Sequence, residues 1–261
     1  MLCLGNLPPV FQVRGVVKVF VQNRYLVERR DLSAMPWRSR LRILIERLWL
    51  RGFRRNAQLL VQTVSMAREV RAVLGVAAEV LPFIPYRTSE AEMIAPKRRF
   101  DFLYVASGEP HKNHLALIEA WKLLAYDGIF PSLCLTLDPA REGQLVDGIA
   151  ETAQVHGLRI ANAGVLQPSE VKALYAASGA LIYPSRFESF GLPLIEAQQA
   201  GLPVVASELD YVRDVVCPQE TFDPGSPVSI ARAVRRFMKC PDPALVMLSP
   251  REFLARVAGS H

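Results

Sequence analysis

The chain has 261 residues, 51% of them hydrophobic, and 31 basic against 25 acidic side chains give it a net charge of +6. This is a globular composition, with length for one large domain or about two ordinary ones. No run approaches the roughly 18 apolar residues of a spanning helix, the start lacks the basic region of an export signal, and four cysteines without CxxC spacing read as free thiols of a reducing cytoplasm rather than disulfides or a zinc site.

In chain order, β-rich runs at 16–21 and 58–61 predict two strands, and a third is expected at 79–84. Between the first two lies a basic helix at 38–55, in which Arg38, Arg40, Arg42, Arg47, Arg51 and Arg54 interleave with Leu41, Leu44, Ile45, Leu48 and Trp49. At 100° per residue the apolar set shares one face and the arginines crowd its flank. Two readings stand for it: peripheral docking on anionic headgroups, or a core-packed helix with a solvated basic edge. Nucleic acid is not expected as a partner, because no recognised motif accompanies the arginines. A helix is expected to open at Thr63, and a linker to span 85–98.

From residue 99 onward the pattern alternates strands at 102–106, 133–137, 159–163, 180–183 and 203–206 with helices at 115–124, 144–155, 168–177, 192–200 and 227–238. Continuous apolar strands separated by helices predict a doubly wound parallel α/β sheet, whose ligands bind at the carboxyl ends of the strands. Two loops fall at that edge. One is Ser107-Gly108-Glu109-Pro110-His111-Lys112, and the other runs from Tyr183 through Glu188-Ser189-Phe190-Gly191-Leu192-Pro193 to Glu196. Gly191 permits a sharp turn and Pro193 suits a first helical turn, so the helix should begin near Leu192 with its free amides facing an anion. Glu188 before that helix and Glu196 one turn inside it can project into one crevice. An ionised glutamate accepts through both oxygens, which suits a vicinal diol. His111 and His114 are spaced to share a helical face, but a metal pair needs further ligands that the sequence does not identify, and ordinary polar roles are expected of them.

The Glu188-x7-Glu196 spacing, the Tyr-Pro-Ser before it and Ala200-Gly201-Leu202-Pro203-Val204-Val205-Ala206 after it resemble the signature of the retaining GT-B glycosyltransferases of family 4, the glycosyl transferases group 1. The resemblance implies a GT-B-like fold divided into a partial N-terminal acceptor-side α/β domain, 1–90, and a complete Rossmann-like nucleotide-sugar domain, 91–261. It implies a sugar donor of the nucleoside-diphosphate type, a saccharide or lipid-linked glycan acceptor, retention at the anomeric carbon, and no separate cofactor. By position, Glu188 lies by the donor sugar, Lys112 contacts the phosphates, Gly108, Ser189, Phe190, Gly191 and Leu192 line the donor site, Glu196 holds the ribose, and Val165 flanks the nucleobase unless it closes the core. Glu188 and Lys112 are the catalytic pair. No metal is expected, since no Asp-x-Asp occurs in the chain. Two departures stand out. No arginine lies between Phe100 and Lys112, where the fuller pattern has one, and the Gly-rich opening loop of the acceptor domain has no counterpart ahead of Val16. The shortened front implies either a partner protein that completes the first sheet or loss of the missing portion from this reading frame; a non-catalytic nucleotide-sugar-binding remnant and a sugar-nucleotide epimerase are the alternative functions. A cytoplasmic protein, peripheral on the inner membrane face if the basic helix docks, is the expected location.

Overall fold

The computed structural model describes residues 1–11, 13–28, 32–33, 35–53, 57–83, 98–242 and 247–259. Two parallel sheets organise them. The first contains β1 (Leu2–Cys3), β2 (Lys18–Phe20), β3 (Gln58–Val61) and β4 (Ala78–Val80) in that spatial order, with α1 (Trp37–Phe53) and α2 (Val64–Leu74) as crossovers. The expected strand at 79–84 is shorter and begins one residue earlier. The expected first strand contracts to 18–20, and a two-residue strand unseen in the sequence, β1, pairs beside it through Leu2 with Lys18 and Cys3 with Val19. Most of the expected linker lies outside the described residues, as do Arg54 and Arg55 at the end of the basic helix.

The second sheet has six strands in the order β10-β9-β8-β5-β6-β7: β5 (Phe100–Tyr104), β6 (Leu133–Leu135), β7 (Ile160–Asn162), β8 (Ser178–Tyr183), β9 (Val204–Ser207) and β10 (Glu220–Phe222). Its helices are α3 (His114–Tyr126), α4 (Pro139–His156), α5 (Pro168–Ala176), α6 (Leu192–Gln199), α7 (Asp210–Arg213), α8 (Pro227–Phe237) and α9 (Pro250–Ala258). The doubly wound α/β expectation holds. Helix α4 begins five residues before the expected 144 because Asp138 caps it, accepting from the Ala140 amide, and Pro139 fits the first turn. Thr63 caps α2 in the same way, accepting from Met66, and Gly75 closes that helix at φ 69°, a left-handed turn that glycine adopts without strain.

The sheet centre explains why this sequence settles here. Strands β5 and β8 lie side by side, and Phe102, Leu103, Tyr104, Leu181, Ile182 and Tyr183 are buried on both faces. Such strands must read as unbroken apolar runs. Trp121 of α3 packs edge-on against Phe102, and its indole donates to the Pro131 carbonyl, so the large ring is buried with its one polar atom satisfied. The pairing of β5 with β8 also fixes the site, because Tyr104 and Tyr183 end these strands and the two motif loops start from them.

Candidate active site

The loop after β5 runs through a single 3-10 turn, Pro110–Lys112, and the loop after β8 runs to the start of α6. Asn113 locks the two together. Its side-chain amide donates to the carbonyls of Pro184 and Pro224, while Arg186 donates its backbone N–H to the His111 carbonyl. Lys112 is held from behind by the Tyr104 hydroxyl, which donates to its carbonyl oxygen at 2.6 Å. The Lys112 ammonium then meets the Glu188 carboxylate at 2.7 Å, with side-chain exposures of 15% and 12%. The Tyr183 hydroxyl donates to the same carboxylate oxygen at 2.9 Å. Burial and the Glu188 charge push the Tyr183 hydroxyl well above the ordinary tyrosine range, so it stays a donor at any physiological pH.

Gly191, at φ 74°, makes the turn into α6, whose second residue is Pro193, as the sequence predicted. A Cβ at Gly191 would sit 3.0 Å from Leu194 Cδ1, so close packing and conformation both favour glycine. These loops border a cleft of about 780 Å³ that reaches Gln22 and Gln62 at the ends of the first sheet's strands. Of the residues expected at the site, Lys112, Val165, Glu188, Ser189, Phe190, Gly191 and Leu192 line this cleft. Val165 is 70% exposed, which removes the reading of it as a core-closing side chain. Two expected residues stand outside the lining. Glu196 sits a turn along α6, exposed, with its carboxylate accepting from the Tyr175 hydroxyl at 2.9 Å. Gly108 is covered by Glu142, whose carboxylate accepts from the Gly108 and Asp138 amides. A Cβ at Gly108 would lie 2.7 Å from Glu142 Cγ. To make these bonds Glu142 leaves helical geometry, at φ −123° and ψ 27° inside α4.

Sequence reasoning missed the α4 wall of the cleft. Arg141, Glu142 and Asp138 line it, together with Thr136 after β6. Arg141 is a cation on the wall beside the loop whose expected arginine is missing. The available signal was position, since the segment follows a strand at its carboxyl end. A second unforeseen group is Arg24, in a 3-10 turn after β2 (Arg24–Leu26). Its backbone amide donates to Ser189 Oγ at 3.0 Å, its guanidinium to the Glu188 carbonyl at 3.2 Å, and the same guanidinium lies 5.5 Å from the Phe187 ring centre. The first sheet therefore grips the acidic loop directly.

Among the described residues there is no group of three or more His, Cys, Asp or Glu side chains that could hold a metal ion. His114 is buried at the start of α3, its ring centre 4.8 Å from that of Tyr104 and tilted to it by 38°, and neither ring nitrogen has a hydrogen-bond partner. Burial, reinforced by the Lys112 charge, lowers its pKa from 6.5 to about 4. Between those values the unfolded chain takes up a proton that the folded chain refuses, so stability falls as pH drops from 6.5 toward 4. The difference corresponds to about 3 kcal/mol. Denaturant titrations at pH 7 and pH 4.5 should show this loss, and His114→Phe should reduce it; an unchanged pH slope in the variant would assign the effect elsewhere.

Comparison with known proteins matches residues 87–250 to the family described as glycosyl transferases group 1. An O-antigen chain mannosyltransferase B of Escherichia coli is 34% identical over 116 residues, covering 44% of this chain and 30% of that protein. A 2-deoxystreptamine glucosyltransferase of Streptomyces kanamyceticus is 27% identical over 229 residues, covering 80% of this chain and 59% of that protein. The chain thus spans less than two thirds of the length of these relatives. Among solved structures, HepE of Anabaena, crystallised with UDP and glucose, superposes with a TM-score of 0.64 at 18% identity, covering 87% of this chain and 63% of that one. TarM gives the same score at 14% identity, covering 86% and 43%. These likenesses match the observed pair of parallel α/β sheets.

Proposed function

Because the chain belongs to the glycosyl transferases group 1, we propose that it carries the donor half of a hexosyl transfer from a nucleoside-diphosphate sugar to a saccharide or lipid-linked glycan, with retention, in the manner of family 4. The observation that carries this reading is the Lys112–Glu188 ion pair in the lining of a cleft bordered by the start of α6. In the transfer, the bond from the anomeric carbon to the diphosphate oxygen breaks and a bond to the acceptor oxygen forms on the same face, with the departing diphosphate taking the acceptor's proton. Negative charge grows on that diphosphate, so fixed cations and amides are the groups that lower the barrier. Lys112 is held for this by the Tyr104 hydroxyl. An arriving diphosphate competes for the ammonium and frees Glu188 Oε1 to accept from sugar hydroxyls, with Tyr183 still orienting the carboxylate. Arg141 supplies the second cation, and the amides around Gly191 face the sugar or its phosphate. Gly108 joins them once Glu142 is displaced, because the anionic donor is a rival for the same amide.

In this reading residues 91–261 form the donor domain and 1–90 part of the acceptor domain, with Gln22 and Gln62 the acceptor-facing groups. The absence of any Asp-x-Asp in the sequence favours a reaction without a metal bridge. Glu196 holds the ribose diol, positioned by Tyr175. Glu196→Ala should weaken binding of the nucleoside diphosphate by about 1–3 kcal/mol, while a 2′,3′-dideoxy analogue should bind both proteins equally in calorimetry. Equal loss for both ligands would mean that Glu196 acts through the fold of α6.

The decisive experiment follows release of nucleoside diphosphate from a panel of labelled donors with and without glycan acceptors. Acceptor-dependent release with an α-linked product from an α-linked donor is expected. Binding without release would favour a non-catalytic nucleotide-sugar module. Conversion without any acceptor would favour an epimerase.

A further inference from the structure

Helix α1 is turned inside out relative to a core helix. The side chains it buries are Ile43 and Leu50. Its larger apolar stripe faces water, with Trp37 67%, Leu41 50%, Leu44 48%, Ile45 53% and Leu48 69% exposed. At 100° per residue these five fall within an arc of about 100° on the side away from Ile43 and Leu50. Arg38 and Arg42 border the stripe on one side and Arg40 and Arg51 on the other, all on a helix whose one acidic residue is Glu46. The orientation is fixed from beneath. The Arg47 guanidinium donates to the carbonyls of Tyr25 and Glu28 at 2.9 and 2.8 Å, which ties the helix to the turn at 24–26 and holds the stripe outward.

We propose that this face docks on an anionic phospholipid bilayer, lying in the interface with the stripe among the upper acyl carbons and the flanking arginines at the phosphates. The charge pattern selects that occupant. An apolar band with cationic borders matches a surface whose apolar interior lies below a layer of negative phosphate, and long arginine stems cover apolar surface while their heads stay in the polar layer. Trp37, at one end of the stripe with Arg38 5.5 Å from its ring, suits the headgroup level. A second copy of this chain would instead bring the same excess of arginine onto itself, which opposes a symmetric pairing through the stripe. No helix among the described residues is long and apolar enough to cross a membrane, so the contact is peripheral. The turn at 24–26 that carries α1 also carries the Arg24 grip on the acidic loop.

The test is flotation of the full chain with vesicles of phosphatidylcholine alone or with about 30% phosphatidylglycerol, which gives the surface the negative potential that attracts basic segments. Binding is expected with the anionic vesicles at low salt and to weaken at high salt, where charges are screened. Each arginine near the surface is worth about fivefold in partitioning, so Arg38→Gln/Arg42→Gln should lose about 25-fold, and Leu44→Glu/Leu48→Glu should abolish binding. Bromine-labelled acyl chains should quench wild-type tryptophan emission and quench Trp37→Phe less. Circular dichroism and donor-nucleotide affinity serve as fold controls, since these positions are exposed and none of them lines the cleft. No flotation at low salt, flotation unaffected by the glutamate pair, or a dimer in sedimentation velocity that the glutamate pair disperses would each overturn the proposal. None of these outcomes bears on donor binding, which is measured separately.

Discussion

Replacing Lys112 by alanine is expected to lower kcat/KM for sugar transfer by about 10²–10³-fold, the loss that follows removal of one fixed donor to a developing anion. The effect should be large because of where the ammonium sits. It is mostly shielded from water, aimed by the Tyr104 bond to its own carbonyl, and 2.7 Å from Glu188. Its loss also leaves a shielded Glu188 carboxylate with the Tyr183 hydroxyl as its remaining described partner, a poor setting for an ionised group. Lys112→Arg should recover part of the donor affinity but less of the rate, since a planar fork cannot occupy the space of a compact ammonium. Calorimetry with the donor, paired with single-turnover transfer, separates the two losses. Transfer at the wild-type rate in the alanine variant would mean that the diphosphate is held elsewhere.

Arg141→Ala should weaken nucleoside-diphosphate binding by about 1.5–3 kcal/mol, roughly 10- to 100-fold, the range for hydrogen bonds to charged groups. The control is the parent nucleoside, whose affinity should not change because it carries no phosphate. Arg141 is an exposed side chain that reaches Asp138 at 3.6 Å, and its removal should cost little stability. If nucleoside and nucleoside diphosphate weaken equally, Arg141 acts on the shape of α4 rather than on charge. If neither weakens, the cation facing the diphosphate is Lys112 alone.

The order of strands and helices in the second sheet was legible because its strands are apolar on both faces and its helices carry caps. Shorter pieces were not. β1 is two residues long and β10 three, too few to show a period of two, and each is defined by its neighbour's free edge rather than by its own pattern. The two loops that carry Lys112 and Glu188 were legible, whereas Arg141 and Arg24 were not, because each reaches the site from a different part of the chain and no local spacing marks it. Helix α1 shows a further limit. Periodicity gathers Leu41, Leu44, Ile45 and Leu48 on one side but is silent on which way that side points. The direction was decided by Ile43 and Leu50, which the pattern did not single out, and by Arg47, which it grouped with the other flanking arginines.

The Arg24 contacts make the two sheets thermodynamic partners. Separating them would draw the guanidinium off the Glu188 carbonyl and the backbone amide off Ser189. Any molecule that settles on the Gln22 and Gln62 side and favours the gripped arrangement must then raise donor affinity by some factor, and linkage requires the donor to raise that molecule's affinity by the same one. Measured as a ternary-complex cooperativity, that factor should fall toward unity in Arg24→Ala.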